Sequence, residues 1–157
     1  FLVFNELVDA ELEKTKGFLE KVNGPEHDYA KTALRRAHDQ RYEELAVPAD
    51  NFEQDALSRL EANYPQKYVY VGEPALRALV ASGVKLARRH SVTSEAGVML
   101  FIGLMFTLGH GFATDPQFPW IESTLKNRNI ADPNQRAERL FEKAMIYLSE
   151  VLAFHGE

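Results

Sequence analysis

The chain has 157 residues and a formal net charge of −5, from 18 Lys and Arg against 23 Asp and Glu. This length fits one domain, and 45% hydrophobic with 26% charged residues exclude a disordered or low-complexity chain. The acidic balance argues against broad nucleic-acid binding, and the absence of cysteine excludes disulfides and cysteine nucleophiles.

Apolar residues recur at intervals of three and four along most of the chain, which predicts helices. The first helical pattern covers residues 4–22 and ends before Gly24 and Pro25. The second covers residues 29–45 and ends at Val47 and Pro48. Both patterns carry charged residues between the apolar ones, as expected for helices with one face in water.

The third predicted helix begins at residues 50–53, Asp-Asn-Phe-Glu, which have the spacing of a capping box. It is followed by residues 64–72, which are rich in Tyr and Val and have strand-like character. Because no second strand is available for pairing, we expect residues 64–72 to form an extended connection.

The fourth predicted helix starts at Pro74 and ends in the basic run Arg88-Arg89-His90, which suits the negative end of a helix. Ser94 and Glu95 then favour a helix start. The strongly apolar residues 96–108, from Ala96 to Leu108, number only 13, whereas a membrane span needs about 20. We therefore predict a buried helix here and no membrane span.

Residues 109–118 predict a loop, with Gly109 and Gly111 ending the preceding helix in left-handed conformations. A short helix over residues 119–126 follows, and Asp132-Pro133 favours the start of the last one. The expected fold class is all-α: a single domain over residues 1–157, built as a bundle of six or seven helices around the buried central helix Ala96–Leu108.

Negative charge is concentrated in the first part of the chain. Residues 1–63 hold 14 acidic and 8 basic residues, while residues 64–157 hold 9 and 10. The acidic helices predict a surface that attracts a basic protein partner, although solvated helix faces have the same composition. The candidate partner-binding residues are Glu11, Glu13, Glu20, Glu43 and Glu44.

No catalytic, metal-binding or cofactor-binding motif occurs, and none of the five histidines follows a Glu at the spacing of a di-iron site. The loop after the apolar helix is either a ligand site or structural scaffolding, through His110, Phe112, Asp115 and Trp120. Met and Phe residues of the apolar helix either line a pocket or are ordinary core: Met99, Phe101, Met105 and Phe106.

An ordered pattern runs through residues 60–152. Its most specific part is Gly-x-x-Phe-x-x-Asp-Pro-x-x-Pro-Trp at residues 109–120, preceded by Ala-Arg-Arg-His-Ser-Val-Thr-Ser-Glu at residues 87–95. The pattern resembles small helical proteins encoded beside bacterial type VI secretion spike and effector genes. The resemblance implies a partner that is a toxin, effector or secretion component, and it carries over no catalytic residue. Residues 1–50 lie outside it.

We therefore expect a non-enzymatic protein-binding accessory of a toxin or secretion system, acting as an effector adaptor, a chaperone or an immunity protein. The alternative is a small-ligand-binding or enzymatic helical domain with a site near His110. The first residues lack the basic segment of a signal peptide, so we expect a cytoplasmic protein.

Overall fold

The computed structural model describes residues 2–155, with side chains from residue 5 onward. Within these residues the chain forms eight α-helices and no strand, so the all-α prediction is confirmed. The helices are α1 (Leu2–Phe18), α2 (Asp28–His38), α3 (Phe52–Asn63), α4 (Pro65–Val71), α5 (Glu73–Arg89), α6 (Glu95–Leu108), α7 (Pro119–Leu125) and α8 (Pro133–Phe154).

Two helix starts have the caps that the sequence predicts. The hydroxyl of Ser94 accepts a hydrogen bond from the Gly97 amide at 3.2 Å, and α6 begins there. The carboxylate of Asp132 accepts one from the Asn134 amide at 2.9 Å, with Pro133 in the first turn of α8. Both side chains satisfy an amide that has no partner inside its helix.

The expected extended connection over residues 64–72 is wrong, because residues 65–71 form helix α4. Pro65 occupies the first helical turn, where its missing N–H is not needed. Gly72 ends α4 with a φ of 85°, which a residue with a side chain rarely adopts. This additional helix is the reason why eight helices form where six or seven are predicted.

The predicted second and third helices also begin or end differently. Helix α2 stops at His38, and Tyr42–Leu45 is a separate 3₁₀ turn. No side chain caps α3, so the capping box predicted at residues 50–53 is wrong. A capping box forms instead in the 3₁₀ turn, where the carboxylate of Glu44 accepts from the Arg41 amide at 3.0 Å.

Helix α1 differs from the others in its packing. It continues directly into a π-helical segment, Leu19–Asn23, and at its end the Phe18 ring contacts that of Tyr70 in α4, with centroids 5.6 Å apart. Leu7, Val8 and Leu12 are 62%, 40% and 60% exposed. These apolar residues of α1 are therefore exposed, whereas Val22, in the π-helical segment that follows, is buried.

Among the described residues, the most extensive contact between any two helices is that of α5 with α6. Nine of the 14 residues of α6 are buried. The two helices approach closely at Gly83, where a Cβ would lie 2.6 Å from Cγ1 of Ile102. In the part of the chain that the structure describes, no helix has both the length and the apolar character of a membrane span.

Candidate functional site

A partly enclosed cavity of about 350 Å³ lies beside α6, within the range of roughly 300–1,000 Å³ that is typical of ligand pockets. Side chains from α2, α3, α6 and α8 and from the π-helical segment form most of its wall, and α1, α4 and α7 contribute Phe18, Lys67 and Trp120. We call this space the α6 cavity. A position between helices is a common one for ligand sites in helical proteins.

The walls of the α6 cavity are mainly apolar. Helix α6 contributes apolar groups including Met99, Leu104 and Phe106, and α8 contributes Phe141 and Leu148. Small side chains on α2, Ala30, Ala33 and Ala37, leave the space between the helices open. Such a wall favours a ligand whose buried part is hydrocarbon.

Gly103 is the residue of α6 that leaves most room. A Cβ built at Gly103 would meet no heavy atom within 4 Å, whereas Cβ atoms at Gly83 and Gly97 would come within 2.6 and 2.5 Å of neighbouring side chains. Gly103 lines the cavity in the interior of a helix, where Gly is less favourable than Ala by roughly 0.8–1.0 kcal/mol. Neither backbone conformation nor close packing requires glycine there, and the space in front of it is open.

The junction between α3 and α4 places polar groups on the cavity wall. The ammonium group of Lys67 donates a hydrogen bond to the backbone oxygen of Phe106 at 2.5 Å and lies 5.0 Å from the centroid of the Phe106 ring. The hydroxyl of Tyr64 donates to the backbone oxygen of Val22 at 2.6 Å. The side-chain oxygen of Asn63 is buried without a hydrogen-bond partner, which is an unfavourable arrangement.

The charges on the cavity wall are positive. Arg59 and Lys67 line the cavity, and no Asp or Glu does. Arg59 donates to the backbone oxygens of Glu44 and Ala46, and within residues 2–155 neither cation forms an ion pair with a carboxylate. Burial lowers the pKa of Lys67, because a charged ammonium loses hydration there.

The acidic residues predicted to bind a partner are all exposed and lie outside the cavity. Glu11 and Glu13 are on α1, Glu20 is in the π-helical segment, and Glu43 and Glu44 are in the 3₁₀ turn Tyr42–Leu45. Two of them have local partners: the Glu11 carboxylate lies 2.7 Å from the Lys14 ammonium, and Glu44 pairs with Arg41. The structure does not bring these carboxylates into one cluster around a common group.

The predicted loop residues have different environments. His110 is exposed and does not line the cavity. Phe112 is fully buried, with its ring centroid 5.7 Å from that of Phe101. The Asp115 carboxylate accepts from the Gln117 amide at 2.8 Å and so forms a turn. Trp120 alone of the four lines the cavity, and its ring centroid lies 5.6 Å from that of Tyr147.

The prediction that two glycines with positive φ end α6 is confirmed for one of them. Gly109 has a φ of 104° and follows the last residue of the helix. Gly111 has a φ of −92°, so the expected left-handed conformation is wrong at that position. The preceding glycine already turns the chain, and Gly111 leads into the 3₁₀ turn Phe112–Thr114.

The four Met and Phe residues of α6 divide between pocket and core. Met99 and Phe106 line the cavity, whereas Phe101 and Met105 do not and are buried at 0% and 3% exposure.

Sequence reasoning missed Lys67 and Gly103. Lys67 lies in the stretch predicted to be extended, and the significance of a single helical glycine depends on which atoms surround it.

The chain matches no family model, and no curated protein or solved structure shows significant similarity to it. Within residues 2–155, no three His, Asp or Glu side chains come close enough to hold a metal ion.

Proposed function

We propose that the protein binds a small, largely apolar molecule in the α6 cavity. The observation that carries this proposal is the open space in front of Gly103, in a helix whose other glycine, Gly97, is closely packed. A cavity of about 350 Å³ left without an occupant forfeits contacts of its lining groups, which destabilises a protein. A ligand that fills the space restores those contacts.

The experiment is a titration with the uncharged fluorescent probe N-phenyl-1-naphthylamine against two variants. In Gly103→Leu the new side chain fills the cavity, so we expect the probe affinity to fall about tenfold or more, equivalent to a loss of at least ~1.4 kcal/mol. The matched control is Gly17→Leu, because Gly17 is also helical, also has no neighbour within 4 Å and does not line the cavity.

The control variant should bind the probe as the wild type does. Thermal melting of all three proteins checks that they are folded. Equal probe affinity in Gly103→Leu and wild type, or no probe binding by the wild type, would contradict ligand binding in the α6 cavity.

A second candidate function is protein binding through the N-terminal helix, and the exposed apolar side of α1 favours it. Leu7, Val8 and Leu12 of α1 are 62%, 40% and 60% exposed. Exposed apolar patches of this kind occur at interaction sites. We propose a partner with a basic, amphipathic helix, and the resemblance over residues 60–152 suggests a toxin or a secretion component.

The test of the second candidate uses Leu7→Ser/Leu12→Ser. Both side chains are exposed, so the melting temperature should stay close to that of the wild type. We expect co-purification with a co-expressed toxin encoded by a neighbouring gene to be lost in this variant. A toxin retained equally by the variant and the wild type would show that α1 is not the interface.

A further inference from the structure

We infer that the ligand of the α6 cavity is an anionic amphiphile, a single aliphatic chain ending in a carboxylate, with the carboxylate at Lys67. This inference rests on the proposed function, since it names the class of molecule that would occupy the same cavity. Three observations support it: the sign of the charges on the wall, the unused donors of Lys67, and the direction in which the apolar wall extends.

The first observation is the charge distribution. The chain is acidic overall, yet the cavity is lined by two cations and by no carboxylate. Burial of a charge is unfavourable unless an opposite charge or strong hydrogen bonds accompany it. An anionic group on the ligand would supply the partner that the described residues do not supply.

The second observation is the hydrogen bonding of the two cations. An ammonium group has three donors, and the described residues provide Lys67 with one acceptor, the backbone oxygen of Phe106. Two donors of Lys67 therefore remain for the two oxygens of a carboxylate. The guanidinium of Arg59 already holds two backbone oxygens of the segment before α3, which makes Lys67 the better candidate for the headgroup.

The third observation is the position of Lys67 relative to the apolar wall. Lys67 contacts Phe106, near the C-terminal end of α6, and the cavity wall continues back along α6 through Gly103 to Met99. At 1.5 Å per residue, the distance from Phe106 to Met99 along the helix axis is roughly 10 Å. A medium-length alkyl chain has this extent and would pass the open space at Gly103.

The contact between Lys67 and Phe106 also has a purely structural interpretation. The last carbonyl groups of a helix have no partner inside it, and a cation near them is stabilising. A structural role and a ligand-binding role make different predictions for ligand preference. The experiment must therefore measure whether the protein prefers a charged over an uncharged ligand, and not only the stability of the protein.

The experiment compares decanoate with decanol, which has the same number of carbons but no charge, by displacement of the naphthylamine probe. In the wild type at neutral pH we expect decanoate to bind about tenfold more tightly than decanol, the size of one hydrogen bond between charged groups. Lys67→Met should lose this preference and keep its affinity for decanol. Lys67→Arg should retain the preference, because it keeps the positive charge.

The matched control is Lys85→Met, since Lys85 is exposed on α5 and does not line the cavity. It should bind both ligands as the wild type does. Should Lys67→Met fail to fold, a pH titration of the wild type serves instead. The decanoate preference should then decline as the pH rises and Lys67 loses its proton, while decanol affinity stays constant.

The outcomes separate the two proposals. Equal binding of decanoate and decanol by the wild type would overturn the inference and leave the proposed function intact. A decanoate preference that survives in Lys67→Met would also overturn it, because the headgroup would then lie elsewhere. Failure of decanoate, decanol and the uncharged probe to bind would overturn the proposed function as well.

Discussion

Glycine has opposite structural roles at Gly83 in α5 and at Gly103 in α6. At Gly83 the backbone of α5 lies against Ile102, and a Cβ would come within 3.1 Å of the Ile102 Cα. At Gly103, the residue that follows Ile102 in α6, a Cβ would meet nothing within 4 Å. The first glycine lets two helices approach each other, and the second keeps a cavity open.

We therefore expect opposite effects of the same substitution at these positions. Gly103→Ala should raise the free energy of unfolding by about 0.8–1.0 kcal/mol, because alanine is the better helix former and nothing obstructs its methyl group. Gly83→Ala should lower it by about 1–3 kcal/mol, because the helices must move apart. Urea unfolding of both variants and of the wild type measures these changes in the free energy of unfolding. Stabilisation by both substitutions would show that α5 and α6 are not closely packed at Gly83.

At the scale of single elements, capping side chains decide where the later helices begin. Ser94 caps α6, and it is also connected to α8, because the amide oxygen of Asn134 accepts hydrogen bonds from the backbone amides of Thr93 and Ser94 at 2.8 and 3.0 Å. The start of α6 is therefore held both by its own cap and by the first turn of α8. This arrangement fixes the helix that forms one wall of the cavity.

Ser94→Ala should lower the free energy of unfolding by about 1 kcal/mol, the usual effect of losing an N-cap. The matched control is Ser58→Ala in the interior of α3, whose hydroxyl donates to the backbone of Gln54 and caps nothing. The control should have an unfolding free energy close to that of the wild type. Thermal or urea unfolding compares the three proteins, and equal losses in both variants would argue against a capping role.

For the molecule as a whole, the acidic N-terminal part is the feature that concerns partner choice. Four of its exposed carboxylates can be neutralised together in Glu11→Gln/Glu13→Gln/Glu20→Gln/Glu43→Gln. Glu44 is left unchanged because it forms the capping box with Arg41. Exposed charges contribute little to stability, so the melting temperature should stay nearly constant.

Binding of a basic protein partner by this variant should weaken at low salt, mainly through a slower association rate, and should depend less on salt concentration. Surface plasmon resonance at two salt concentrations measures both properties. Unchanged association at low salt would mean that the acidic helices are only a solvated surface. The interface would then have to lie on another part of the molecule.

Much of the fold could be predicted because helices depend on local features of the sequence, namely apolar spacing and capping residues. Apolar spacing predicts most of the helices, and Ser94 and Asp132 mark two of their starts through contacts within three residues. The prediction failed at residues 64–72, where Tyr and Val suggest a strand. A helix forms there because Pro65 and Gly72 bound it and its neighbours bury Tyr64, Tyr68 and Val71 in part.

The sequence by itself determined the fold class and the main helix boundaries, since these follow from periodicity and from caps within a few residues. The tertiary structure alone decided where the packing leaves space. Met99, Phe101 and Phe106 are all large apolar residues of the same predicted helix. Met99 and Phe106 nevertheless line the cavity, whereas Phe101 is packed in the core. Likewise, the surroundings of Gly103 and Lys67 come from residues distant along the chain. The cavity and the Lys67 charge without a carboxylate partner result from how helices distant in sequence pack together. A local sequence pattern therefore cannot predict them.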